Sequence, residues 1–254
     1  MKNYLKITAI GLLSMGMLLG CSNEKEKVES QEHVKKIIVG TSADYEPFEF
    51  LNKNNEIVGF DIDIVKKVAK GMGAEVEIKN IPFDNLMKSL KEGKIDVLAA
   101  SLSPTAERLK QADFSDVYYV SSSMVVSKLG SNILSIDDLE GKKVGVQGGT
   151  IQEDKAKDIQ KDLPSIKVST YKMATELFDK VKKGEVDAGI VEDSLFLNHL
   201  GKEIDGFVIE DENQEGSAFA FRKNSPLVEP FNNEIKKLKT NNELENLIQK
   251  WIAR

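Results

Sequence analysis

Two stretches of this chain follow one plan: Leu90-Lys91-Glu92-Gly93-Lys94-Ile95-Asp96 and Val181-Lys182-Lys183-Gly184-Glu185-Val186-Asp187. Each reads as the last turn of a helix, a glycine stop and a buried strand, Val97 to Ala100 in one copy and Ala188 to Val191 in the other. Five residues beyond each aspartate stands a polar group at the strand's carboxyl end, Ser101 in the first and Glu192 in the second. Ligands of open parallel sheets sit just beyond such strand ends. A chain that builds this edge twice, with a hydroxyl on one side and a carboxylate on the other, has the parts to close two half-sites around one small molecule. Helix-glycine-strand units are common in α/β proteins, however, so the surrounding residues have to decide.

The 254 residues are more than one modest core usually serves, which predicts one large or two smaller domains. A hydrophobic content of 41% with 30% charged residues describes a globular chain rather than a disordered or fibrous one. The net charge of −6 offers no basic footprint and argues against a nucleic-acid partner.

The first twenty residues are of another kind. Lys2 and Lys6 precede an uncharged stretch, Ile7 to Leu19, shorter than the roughly 20 residues a membrane-spanning helix needs. It matches the apolar region of a secretory signal. It ends in Leu18-Leu19-Gly20-Cys21, and Cys21 is the single cysteine of the chain. This run resembles the bacterial lipobox, which implies a lipidated Cys21 as the first residue of the mature protein; a buried structural cysteine is a poor alternative, because nothing near it offers a core. Ser22 to Gln31 is polar, without apolar periodicity, and reads as a flexible tether. The expected organisation is a signal peptide over 1–20, a tether over 21–35, and an exported domain anchored by its lipid outside the cytoplasmic membrane.

From residue 36 the pattern alternates strand and helix. Lys36 to Thr41 is a buried strand, Phe48–Leu51 and Glu56–Gly59 flank a hairpin turn, and Asp61 caps a helix built on Ile64, Val65 and Val68. A strand over Glu75 to Asn80 and a helix through Leu86, Met87 and Leu90 follow. After the long extended run Val117 to Val126 a second series begins: a strand at Lys143 to Val146, a helix opened by Thr150, a strand at Ile166 to Ser169, and a helix through Leu177 to Val181. Ser217 to Phe221 is a second extended run, Pro226 starts a helix, and Glu243 to Ile252 is amphipathic. The alternation predicts mostly parallel sheets in two lobes, 36–121 with 219–254 and 122–218, joined by two extended crossovers.

Several groups carry chemistry. Ser101 and Ser103 sit two residues apart in a strand-end loop, and Arg108 has the geometry to grip a carboxylate through two parallel hydrogen bonds; standing alone it is as readily a solvated arginine. Gly145-Val146-Gln147-Gly148-Gly149-Thr150-Ile151 runs from a strand into a helix start, where exposed N–H groups favour an anion, although a plain tight turn gives the same pattern. It is neither a Walker loop nor a dinucleotide fingerprint. Glu192 suits an ammonium group, or with Asp193 caps the helix that follows. Tyr45 and Phe83 offer flat apolar faces, each by itself more readily a core residue than a ligand platform. Together the set asks for a zwitterionic α-amino acid, with no cofactor and no metal cluster.

At this point the chain resembles the polar-amino-acid receptors of bacterial ABC importers. The resemblance is carried by Val39-Gly40-Thr41 with Pro47-Phe48-Glu49, Val58-Gly59-Phe60-Asp61-Ile62-Asp63, Gly93-Lys94-Ile95-Asp96, Glu107-Arg108, Asp113-Phe114-Ser115-Asp116 through Tyr119, Gly141 to Val146, and Val186-Asp187-Ala188. It implies a two-lobed periplasmic-binding-protein-like (type II) α/β fold, each lobe a mostly parallel sheet flanked by helices, with two hinge strands and closure on the ligand. It puts the family's carboxylate-binding arginine on Arg108, helped by Ser101 and Ser103, and its Gly-Thr-Thr loop on Gly149-Thr150-Ile151, where isoleucine replaces the second threonine. The amine-binding aspartate falls on Glu192, with Asp193 as the other choice, and the sandwiching rings fall on Tyr45 and Phe83. Ser42 stands where receptors for cationic amino acids often carry aspartate, while Asp44, Glu46 and Glu49 offer negative charge nearby. The expected ligand is a basic amino acid, arginine, lysine or histidine, with glutamine close behind, taken up by a monomer that delivers it to a permease and ATPase complex.

Two other functions share this pattern. An exported dehydratase acting on a cyclic carboxylic acid would use Glu192 as a general acid. Against it, the only histidines are His33, in the tether, and His199, on a predicted helix, and binding needs no proton transfer. A ligand sensor for a membrane receptor is the third.

Overall fold

The structure, a computed structural model, describes residues 35–197, 203–210 and 215–252. The expected signal peptide, Cys21, most of the tether, His33 and His199 lie outside the described residues.

Two five-stranded sheets share one strand plan. The first runs Ala74–Asn80, Lys35–Thr41, Val97–Leu98, Ala220–Phe221, Asp113–Phe114. The second runs Lys167–Tyr171, Lys143–Gln147, Ala188–Glu192, Ser123–Lys128, Ile204–Val208. In each, the strand that follows the repeated glycine unit lies in the middle. It runs parallel to the first strand of its own sheet and antiparallel to a strand arriving from the other sheet. The sheets are therefore mixed, with one reversed strand each.

The repeated residues explain why both units seat alike. Gly93 and Gly184 take φ of +72° and +70°, a left-handed turn that costs glycine nothing and ends the helices Phe83–Lys91 and Ala174–Lys183. Asp96 then accepts the Ile38 amide at 3.0 Å and donates its own N–H to the Ile38 carbonyl at 2.7 Å. Asp187 makes the same clasp on Lys143 at 2.8 and 2.9 Å. Each bond adds about 0.5–1.5 kcal/mol and, more to the point, sets the register that brings Ser101 and Glu192 to corresponding edges.

Helices cover both faces of each sheet. In the first, Phe60–Gly71 and the two C-terminal helices, Val228–Thr240 and Glu243–Trp251, pack with Val39, Phe48, Phe219 and Phe231. Helix Phe83–Lys91 covers the other face through Leu86 and Leu90. In the second sheet, Ala174–Lys183 contributes Leu177, Phe178 and Val181 to one core, and Ile151–Asp162 lays Ala156 on the opposite one.

Both long extended runs are broken rather than continuous. Tyr119–Ser121 and Glu215–Ser217 pair with each other in a two-stranded antiparallel ladder, and Ser123–Lys128 and Ala220–Phe221 then join the two large sheets. A strand that changes partner must break its ladder, so Ser122 and the Ala218-Phe219 pair fall at the breaks. The C-terminal helical region begins at Val228, not Pro226, because the Leu227 amide still closes a turn onto the Ser225 hydroxyl.

Candidate functional site

The site begins with Asp61, which the structure places inside helix Phe60–Gly71 and not at its cap. Gly59 holds the N-cap position. Asp61 shares its helix face with Ile64, Val65 and Val68 and is fully buried. Its Oδ2 accepts the Tyr118 hydroxyl at 2.7 Å and the Ser101 amide at 2.8 Å. Burial pushes its carboxyl up to about 6, against the pull of those two bonds. The Ser101 amide bond accompanies a left-handed φ of +43°, which turns the serine side chain toward the other lobe.

The two strand ends meet there. Ser101 Oγ donates to Glu192 Oε2 at 3.3 Å, and the Tyr45 hydroxyl donates to the same oxygen at 3.1 Å. Ser194 Oγ donates to Oε1 at 3.1 Å. Ser101 also shares a 2.8 Å bond with Ser217, on the linking ladder. Glu192 is only 4% exposed. Burial raises its carboxyl to about 7, with Asp193 adding to the rise and the hydroxyls of Ser121, Ser194 and Tyr45 opposing it. Asp193 opens the helix Asp193–Leu197 and gives its amide to the Ser122 carbonyl. Glu192, not Asp193, lines the cleft.

Arg108 stands on the short helix Ala106–Leu109. Its Nη1 donates to the Ser103 carbonyl at 3.0 Å and its Nη2 to the Gly149 carbonyl of the other lobe at 2.9 Å. These two bonds orient the plane of a group that carries five donors. The glycine loop is fastened to the helix that follows it. Thr150 caps helix Ile151–Asp162 by accepting the Glu153 amide, and Glu153 Oε2 takes the Gly149 amide at 2.7 Å. The Thr-x-x-Glu spacing is a capping signature, so a carboxylate of the chain itself already holds the first N–H of that loop.

The remaining walls are rings and acids. The Phe83 ring would lie 3.6 Å from a Cβ at Gly149, and Tyr45 packs against the cores of both lobes. Ser42 Oγ donates to Asp44 Oδ1 at 2.8 Å. Glu49, 1% exposed, has its carboxyl driven well up by burial and by repulsion from Asp61, Asp44 and Glu192. Its Oε2 has no hydrogen-bond partner among the described residues.

One cavity between the lobes collects these groups. Ser42, Asp44, Tyr45, Phe83, Ser101 and Ser103 line it from the first lobe with Arg108; Gln147, Thr150, Ile151 and Glu192 line it from the second. Most residues expected at the ligand thus face one space; Glu46, which is exposed, and Asp193 do not line it. Glu49 and Gln152 join them. Gln152 was illegible because nothing in a helix's first turn distinguishes a lining glutamine from a solvated one. Asp61 did leave a signal: positions 61, 64, 65 and 68 share one helical face, and an acid on a buried stripe asks for a partner. Among the described residues no group of three or more His, Cys, Asp or Glu side chains is placed to hold a metal ion.

Two lobes of matching topology around a polar, acid-lined cleft define a two-lobed ligand receptor of the type II periplasmic-binding-protein fold. The chain belongs to the bacterial extracellular solute-binding proteins, family 3, whose model matches residues 37–254. It is 40% identical to the arginine-binding extracellular protein ArtP of Bacillus subtilis, over 100% of this chain and 99% of that one. Among solved structures it resembles the substrate binding protein of an amino acid ABC transporter, with a TM-score of 0.80 and 38% identity over 86% of this chain and 100% of that one. An ancestral arginine-binding protein bound to arginine gives a TM-score of 0.79 and 37% identity, over 85% of this chain and 97% of that one. These relatives are named for binding and not for catalysis, and the chain is a binding protein that works outside the cytoplasm.

Proposed function

We propose that this protein captures a cationic amino acid, arginine foremost, between its lobes and hands it to the permease and ATPase of an ABC importer. Arg108 and the serine loop take the carboxylate, Glu192 takes the α-ammonium, Tyr45 and Phe83 flank the aliphatic stem, and Asp44 and Glu49 face the side-chain cation. The observation that carries this reading is the surplus of acid: Glu192, Asp44 and Glu49 share one cavity with a single arginine. One zwitterion balances one Arg108–Glu192 pair, and the surplus favours a further positive charge on the guest over neutral glutamine. The arginine-binding names of two of the relatives point the same way.

A thermal-shift screen of the twenty amino acids tests it, since a ligand that binds only the native state raises the melting temperature. Arginine is expected to give the largest rise and glutamine a smaller one; a largest rise with an acidic or apolar amino acid removes the reading. The anchoring belongs to the same proposal. Cys21 carries the lipid, the protein acts as a monomer at the outer face of the cytoplasmic membrane, and residues 21–35 tether it there.

A further inference from the structure

The side-chain end of the cavity abuts a second space. Ser42, Asp44 and Phe83 line the cavity and also line a groove beside it. The two spaces therefore share a wall, made of the hydrogen-bonded Ser42–Asp44 pair and the Phe83 ring. The groove lies between the lobes. Its walls include Leu51 and Met173, which are 46% and 43% exposed, together with Pro82. Asp84 and Glu176 stand beside Lys172 along it. Apolar walls with an acidic majority suit a cation that carries alkyl groups, because the methyls find carbon surface while the charge keeps its carboxylates.

The geometry points to a second class of ligand, Nω-alkylated arginines, whose methyl groups pass Asp44 and lie in the groove against Met173, Leu51 and Pro82. This rests on the arginine reading above, because it uses the same orientation of the guest: carboxylate at Arg108, ammonium at Glu192, side chain toward Asp44. A sealed pocket rejects each added methyl by overpacking. A pocket that shares its end wall with a groove has room for them beyond that wall.

Calorimetric titration of the protein with L-arginine, Nω-methyl-L-arginine and asymmetric Nω,Nω-dimethyl-L-arginine tests the inference. Both methylated forms are expected to bind within about tenfold of arginine. Met173→Trp fills the groove from an exposed position outside the cavity, and it should weaken the dimethylated form at least about tenfold while leaving arginine unchanged. If arginine binds and the methylated forms are more than about a hundredfold weaker, the side-chain end is closed and this inference fails, with the arginine reading intact. If Met173→Trp leaves the dimethylated form unaffected, the methyls lie elsewhere and the inference also fails. If none of the three binds, the arginine reading falls and takes the inference with it.

Discussion

Replacing Arg108 by alanine is expected to lower arginine affinity by about thirty- to three-hundredfold, measured by calorimetry. The guanidinium is oriented by carbonyls of both lobes, Ser103 and Gly149, in the wall of a largely enclosed cavity. Removing one partner of a hydrogen-bonded charge pair costs about 2–5 kcal/mol, much of it the penalty of leaving the other charge unpaired, and about 1.4 kcal/mol is tenfold in affinity. Arg108 is only partly buried, so the lower half of that range applies. Lysine at this position restores the charge but not the fork, and recovers only part of the loss. An alanine variant that binds arginine as tightly as the wild type would take Arg108 out of the site.

The second large effect falls on Glu192. Glu192→Gln keeps the shape and removes the charge, and it is expected to weaken arginine at least about a hundredfold at pH 8, since a broken buried ion pair costs about 3–5 kcal/mol. The pH profile separates this from a packing defect. The wild-type carboxyl titrates at about 7, so below that pH a proton competes with the ligand's ammonium. Affinity should then fall by up to about tenfold per pH unit; in the glutamine variant this dependence should flatten. The sign for the ligand-free fold is opposite. Because burial raises the pKa above the ordinary 4.5, Glu192 supports the free protein fully at pH below about 4.5. That support is lost as pH rises through 7. Free protein melts at lower temperature at pH 8 than at pH 5.5, and the arginine-induced rise in melting temperature is larger at pH 8. A wild-type profile with no pH dependence between 5.5 and 8 would exclude Glu192 as the ammonium partner.

Much of this was legible before the fold was known, and the reason is the doubling. Two copies of helix, glycine, aspartate and strand end announce two matching sheets, and their offsets bring Ser101 and Glu192 to within 3.3 Å of each other. Arg108, Tyr45 and Phe83 gain meaning only as a set, which is why spacing alone left each of them open. What stayed hidden depends on contacts distant in sequence. Asp61 reads as a cap until Tyr118 and the Ser101 amide arrive from 57 and 40 residues away. The breaks at Ser122 and Ala218-Phe219 are invisible in an extended run, because the residues suit a strand equally well on either side of a partner change. The glycine loop holds a detail the spacing does not show: Glu153 takes the Gly149 amide, while Thr150 and Ile151 still line the cavity.

The two linking strands also hydrogen-bond to each other, Tyr119 opposite Ser217 and Ser121 opposite Glu215. Two separate cords would let the lobes twist as well as part. A bonded ribbon resists torsion and bends across its width, so the jaws swing like a book on its spine. Since Ser217 on that ribbon also shares a hydrogen bond with Ser101, bending it bears directly on the residue that stands against Glu192.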